Sequence, residues 1–273
     1  MIDMQQEKLI FLGTGHAMTL DCFNTCFVWQ NEEGENILVD TGGGLQILKQ
    51  LRSAGIDFAK LHHVILSHKH SDHILGLFWI VRNCHKCITA GKYEGNLNIY
   101  LHKELEEVVR TILPAVLPKK FTDLFDERIL FHVVEDKEER QILNYSVKFL
   151  DIHAKKDRQF GFAVTLANGK RMVFLGDETF DEALREEVEG CDILMHEAFC
   201  LESEADIFKP YEKKHSTAQN AALIAGGLKV KNLILYHSSD NDMEHRQAAY
   251  TKEAKLVFSG NVYAPVDLDV IEL

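Results

Sequence analysis

Short, mostly apolar runs alternate along the chain with longer stretches whose apolar positions recur every three or four residues, the pattern of an α/β protein. KLIFLGT, NTCFVWQ and ENILVD read as strands, the last two joined by a polar turn at residues 31–34. Gly42, Gly43 and Gly44 break the chain before a helix expected over residues 45–54. LHHVILS reads as a strand running into SHKHSDHILG, with a helix from residue 72 to 84. LNIYL is a strand and KELEEVVRTIL a helix that Pro114 should end. Residues 129–134, 145–152, 160–166 and 171–175 read as further strands, with Asn168-Gly169 turning the last pair into a hairpin. A helix over 181–189 and the strand CDILMH come next, and then a helix over 216–225, opened by Ser216 and Gln219 as a capping box. The strand NLILYH and a helix over 245–255 follow. Each half of the chain places strands before helices, which suits two packed sheets with helices outside them. With no repeat and no linker, a single domain over 1–273 is expected.

Composition narrows the function. Thirty basic against forty-two acidic side chains give a formal charge of −12, which repels polyanions unless the basic residues gather on one face. The opening MIDMQQEKLIF lacks the charged and apolar segments of an export signal. No apolar run approaches the roughly eighteen residues of a membrane span, so the expectation is a cytoplasmic protein with no membrane partner. Six cysteines then read as reduced thiols; Cys84 and Cys87, with Cys22 and Cys26, form a structural metal site only if the fold brings the two pairs together.

The chemistry is concentrated in SHKHSDHILG, residues 67–76, where His68, His70, Asp72 and His73 fall within six positions. Histidines at i and i+2 cannot share a helix face, and in a strand His73 would point away from the others. An irregular turn after a strand lets all four converge. Imidazole nitrogen and carboxylate oxygen suit zinc, manganese or iron, and four donors can be divided between two ions. Further donors stand where apolar runs end: His153 after VKFLDI, Asp177 after MVFLG, His196 after CDILM and His237 after NLILY. Side chains at such positions emerge at the lip of a sheet, and an aspartate there can give one oxygen to each of two metals.

HxHxDH followed by a strand-end His, a Gly-Asp pair and a final His resembles the metallo-β-lactamase superfamily. FLGTG, VDTGGG, HEA, HSTAQNAA and LILYHSS are similar to its ribonuclease Z branch, in order over almost the whole chain. The resemblance implies an α/β fold, a four-layer αβ/βα sandwich of two packed mixed β-sheets flanked by helices. It implies two divalent metal ions, zinc first and manganese or iron as alternatives. His68, His70 and His153 would hold one, Asp72, His73 and His237 the other, with Asp177 bridging. Asp72 would also orient the attacking water, His215 would donate a proton to the leaving oxygen and Glu197 would hold His215. Asp40 is expected beneath the site as a hydrogen-bonding support, and the glycines 42–44 either admit a substrate anion or form a tight turn. His196 reads equally as a supporting partner or a plain strand-end residue, and His16 lies on a loop facing the cleft. A homodimer is implied as well.

Two departures bear on the substrate. Only residues 154–176 separate His153 from Asp177, so the long RNA-gripping arm of the familiar bacterial ribonuclease Z is absent from its usual place, and SSDNDMEHRQ follows the last histidine without the usual Arg and aromatic residue. Together with the charge they favour a small or single-stranded phosphodiester over precursor transfer RNA, although RNA remains within the class. Residues 103–125, with Lys119 and Lys120, are the candidate lid or substrate-binding insertion. A second reading keeps the metals and changes the bond to a sulfate ester, lactone or thioester. A third makes the protein a non-catalytic metal-binding sensor.

Overall fold

The structure is a computed structural model that describes residues 6–273; residues 1–5, part of the stretch read for an export signal, lie outside it. The chain forms two compact units, the first from the residues up to 13 together with 23–134 and 267–273, the second from 14–22 and 135–266.

Unit 1 is built on a sheet of β1 (Lys8–Gly13), β2 (Cys26–Gln30), β3 (Asn36–Val39), β4 (Leu61–Ile65), β5 (Leu97–His102), β6 (Ile129–Val134) and β14 (Val270–Glu272), in the order β14-β1-β2-β3-β4-β5-β6. Pairing is antiparallel from β14 to β3 and parallel from β3 to β6. The alternation of strand side chains sends Leu38, Val64, Leu66 and Ile99 to one face. There they pack in a single core with Ile47 and Leu51 of the helix Gln46–Ser53 and with Leu77, Ile80, Val81 and Cys84 of the helix Leu77–Thr89. The latter set is an i, i+3, i+4, i+7 stripe, the signature that made the helix legible.

Unit 2 repeats the plan with β7 (Glu139–Ile142), β8 (Tyr145–Asp151), β9 (Phe160–Thr165), β10 (Arg171–Phe174), β11 (Ile193–Glu197), β12 (Asn232–Tyr236) and β13 (Asn261–Tyr263), ordered β13-β12-β11-β10-β9-β8-β7. Here β7 to β10 are antiparallel and β10 to β13 parallel. Leu150, Val173, Leu194 and Leu233 pack with the stripe Ala218, Ala221, Ala222 and Ala225 of the helix Ala218–Gly227 and with Tyr250 and Ala254 of the helix Arg246–Lys255. Both sheets are thus mixed, and each carries helices.

Four local expectations are corrected. The helix expected over 72–84 is two pieces, Ser71–Ile74 and Leu77–Thr89, because the Gly76 N–H turns aside to the Gly42 carbonyl at 2.8 Å. The helix Lys103–Val116 runs past Pro114: the ring removes one bond in the last turn, while Leu113 stays fully buried and its carbonyl accepts the Leu117 N–H at 2.8 Å. The helix over 216–225 starts later, with Thr217 as N-cap accepting the Asn220 N–H at 3.1 Å, since the Ser216 N–H is taken by Glu197 and its hydroxyl donates to Thr179. Strands β7, β13 and β14, all at or beside sheet edges, were not expected. Among the described residues no helix is long and apolar enough to cross a membrane.

Candidate metal centre and proton donor

In unit 1 the donor segment is fixed by the strand end beside it. Asp40 leaves β3 in the left-handed backbone region at φ 56, a conformation that costs an L-residue about 1–2 kcal/mol and that aspartate tolerates better than most. The turn aims its buried carboxylate under residues 67–73. Oδ1 accepts the Ser67 N–H at 2.8 Å, and Oδ2 accepts the Ser67 hydroxyl at 2.6 Å and His73 Nδ1–H at 2.7 Å. The neighbouring Thr41 clamps the same segment, its N–H and hydroxyl both donating to the His73 carbonyl, at 2.8 and 2.7 Å.

These bonds settle which nitrogens face outward. His73 commits Nδ1 to Asp40, which leaves Nε2 directed toward Asp72, 3.2 Å from Oδ2. Because the Ser67 hydroxyl hydrogen points at Asp40, its oxygen accepts His68 Nδ1–H at 2.9 Å, and His68 Nε2 faces His70 Nδ1 at 2.9 Å. Imidazoles whose far nitrogen is anchored by a carboxylate or hydroxyl, with the near nitrogens converging beside a carboxylate, are the donor chemistry of a transition-metal site. His68, Asp72 and His73 are buried, and His70 is half-buried. Gly43 lies against this segment, where an added Cβ would come within 3.8 Å of Asp72 Cα. Cys26 stays out of the chemistry: burial, and then the nearby Asp40 charge, push its thiol well up.

Unit 2 uses the same strand-end device. His153 after β8 and His237 after β12 have φ 57 and 58, and Gly176 before Asp177 has φ 63. Asp177 Oδ1 accepts Gln159 Nε2–H at 2.5 Å, its N–H returns to Gln159 Oε1 at 3.2 Å, and its Oδ2 stands 3.6 Å from His237 Nε2. Both Asp177 and His237 are buried, while His153 is exposed and its backbone N–H donates to Asp151 Oδ1 at 2.9 Å.

Glu197, at the end of β11 and fully buried, anchors the HST segment by accepting the Ser216 N–H on Oε1. Its Oε2 lies 3.6 Å from His215 Nδ1, an ion-pair distance longer than a hydrogen bond. Burial works against a charged His215, but the carboxylates of Glu197 and Asp177 outweigh it and hold the pKa above the ordinary imidazole value. His215 Nε2 is within 3.1 Å of Lys156 Nζ. His196 is a supporting partner: Nδ1 donates to the Glu197 carbonyl at 2.7 Å, Nε2 accepts the Phe180 N–H at 3.2 Å, and burial lowers its pKa, so the neutral ring ties β11 to the loop after Asp177. His16 stacks on Phe199 with centroids 4.5 Å apart and lies 6.3 Å from the His237 ring.

Thr41, Gln159, Lys156 and Phe199, which contact the candidate residues His73, Asp177 and His215, were not singled out from the sequence. Gln159 carried a faint signal, a polar residue opening the apolar run FGFAV and yet wholly buried.

The ribonuclease Z of Pyrobaculum calidifontis is 28% identical to this chain, over 97% of each chain. Among solved structures, the metallo-β-lactamase fold protein YhfI of Bacillus subtilis superposes with a TM-score of 0.80 at 20% identity, over 98% of this chain and 100% of its own. The short form of human tRNase Z gives a TM-score of 0.72 at 22% identity, over 97% and 98%. These likenesses establish the α/β metallo-β-lactamase fold expected from the motifs and bear out the resemblance to the ribonuclease Z branch. Residues 7–263 match the family described as Anti-Pycsar protein Apyc1, and the chain belongs to that family.

Proposed function

We propose that this protein is a metal-dependent phosphodiester hydrolase with a dinuclear centre, acting on a small or single-stranded phosphodiester. The observation that carries the reading is the set of donors on residues 67–73: His73 and His68 are buried and locked by Asp40 and Ser67, with the free nitrogen of His73 turned to buried Asp72 and that of His68 to half-buried His70. In this reading His68, His70 and His153 would hold one divalent ion and Asp72, His73 and His237 the other, with Asp177 available to both. Zinc is the first candidate, with manganese and iron as competitors for the same donors. The metal ions would supply Lewis-acid polarisation of the phosphoryl oxygens and a water ionised near neutral pH.

The chain's own residues do the rest. Asp40 holds His73 in one tautomer and Gln159 holds the Asp177 carboxylate. Asp72 orients the attacking water. His215, kept protonated more readily by Glu197, passes its proton to the leaving oxygen from Nε2.

Three features support a small substrate. The segment from His153 to Asp177 is consumed by the β9–β10 hairpin, the net charge is −12, and the likeness to the ribonuclease Z of Pyrobaculum calidifontis is only 28% identity. A homodimer in the cytoplasm belongs to the same proposal, and the exposed Leu45, Leu75 and Val116 of unit 1 offer apolar surface for self-association. Residues 103–125 remain the proposed substrate-contacting insertion, although Lys119 is already paired with Asp123 and Lys120 lies 5.1 Å from the Phe121 ring.

The test is a screen of precursor transfer RNA, cyclic nucleotides, aryl phosphodiesters, a lactone and a sulfate ester. Turnover of small phosphodiesters alone is expected; turnover only of the lactone or sulfate ester would overturn the reading.

A further inference from the structure

Unit 2 contains a stack of rings of which the hydrolytic reading uses only His215 and His237. Phe199 lies just past β11, two residues beyond Glu197, and its backbone is tied on both sides: the N–H donates to the Ser216 carbonyl at 2.9 Å and the carbonyl accepts the Ser239 N–H at 3.0 Å. The buried ring sits face to face with His215, centroids 4.7 Å apart and planes 10° from parallel, and with His16 at 4.5 Å and 24°. His215 in turn stacks on His237 at 5.6 Å and 28°. Phe208 meets the edge of Phe199 at 6.2 Å, and Lys213 Nζ stands 5.1 Å from its centroid. These spacings fall in the range of favourable aromatic contacts.

A proton-donating imidazole must be held both in the tilt of its plane and in the direction of its nitrogens within that plane. Glu197, 3.6 Å from Nδ1, constrains the direction only, and at that distance loosely. The tilt has no polar restraint on the Nδ1 side. Two rings stack on the imidazole, and Phe199, at 4.7 Å and 10°, is nearer and more nearly parallel than His237, at 5.6 Å and 28°.

We propose that Phe199 is a positioning residue for His215: its ring, stacked on both His16 and His215, fixes the imidazole plane so that Nε2 stays directed at the leaving oxygen. The proposal rests on the reading of His215 as the proton donor. Glu197 and Phe199 then act as a pair, supplied by one short segment, HEAF, that restrains the same ring in two independent ways. An aliphatic side chain fills the space without a flat face, so the imidazole can tilt, and misplacement of a donor by an ångström or so costs on the order of tenfold to a hundredfold in rate.

The test compares Phe199→Leu, Phe199→Met, Phe199→Tyr, His215→Ala and the double variant Phe199→Leu/His215→Ala in the metal-loaded full chain, on two substrates. With a p-nitrophenyl phosphodiester the leaving group departs without a proton; with a dinucleotide it is a ribose alkoxide that needs one. Phe199→Leu and Phe199→Met are expected to lower kcat roughly tenfold or more on the dinucleotide and less than about threefold on the aryl ester, with KM little changed. Phe199→Tyr, which keeps the flat face, should stay within about threefold of wild type on both. In the His215→Ala background Phe199→Leu should have no further effect. Equal losses on the two substrates, full activity of Phe199→Met, or a multiplicative loss in the double variant would overturn the proposal while leaving the proton donor in place. If His215→Ala itself loses equally on both substrates, the proton-donor reading fails and the positioning role falls with it. Should the leucine variant not fold, the methionine variant carries the comparison.

Discussion

Removing the Asp40 carboxylate should cost unit 1 a large share of its stability, because three donors converge on it in a buried place. Asp40 and Ser67 are almost wholly buried and His73 is 1% exposed, so water cannot replace the lost acceptor. In Asp40→Ala the Ser67 N–H and His73 Nδ1–H are left without it; the Ser67 hydroxyl can rotate away. Each buried donor stranded in this way costs about 1–3 kcal/mol, and alanine at φ 56 adds up to about 1 kcal/mol of backbone strain. The expected loss is about 4 kcal/mol, roughly a thousandfold in the unfolding equilibrium. Asp40→Asn keeps the shape and one acceptor and tolerates the left-handed backbone but loses the charge, so about 2 kcal/mol is expected. Both tryptophans, Trp29 and Trp79, lie in unit 1, so urea titration followed by tryptophan fluorescence reads this unit. The titration is done with chelator present, so that metal binding does not contribute. A loss below about 1 kcal/mol for Asp40→Ala would refute the hydrogen-bond reasoning.

The same fluorescence assay tests two glycines: a Cβ at position 76 would lie 1.9 Å from the Thr41 carbonyl oxygen, so Gly76→Ala should cost more than about 2 kcal/mol. Gly44→Ala, with nothing within 4 Å, should stay within about 0.5 kcal/mol of wild type. In unit 2, Thr217→Ala should cost about 1 kcal/mol by removing the N-cap of the helix Ala218–Gly227, read from thermal unfolding by circular dichroism; no loss would return the helix start to Ser216. Burial, then the neighbouring His62, lowers the His63 pKa from 6.5 to about 4, so the native state binds fewer protons than the unfolded chain between those values. Unit 1 should therefore lose stability as pH falls from about 6.5 toward about 4, and His63→Asn should flatten that slope in urea midpoints measured at successive pH values.

The donor segment was readable because its imidazoles and carboxylate fall within six positions and because potential metal donors so close together have few other uses. The strand-end residues were readable for a different reason, since apolar runs that stop at His153, Asp177, His196 and His237 mark where a sheet delivers a side chain to its edge. What escaped depended on distant partners. The break at Gly76 requires the Gly42 carbonyl, and the helix start at Thr217 requires Glu197 to occupy the Ser216 N–H. Gln159 looks like an ordinary polar residue until Asp177 comes against it, and Phe199 like an ordinary core residue until two imidazoles are stacked on it. β7 escaped because Glu139–Ile142 is exposed at all but its last residue, so the chain shows no alternation there.

The most direct measurement is hydrolysis of bis(p-nitrophenyl) phosphate by wild-type protein and His68→Ala, each before chelation, after chelation and after readdition of zinc or manganese. A metal-dependent phosphodiesterase built on residues 67–76 should lose its activity to the chelator and regain it with metal, and His68→Ala should show almost none under any condition. Turnover that survives both chelation and the substitution would contradict it.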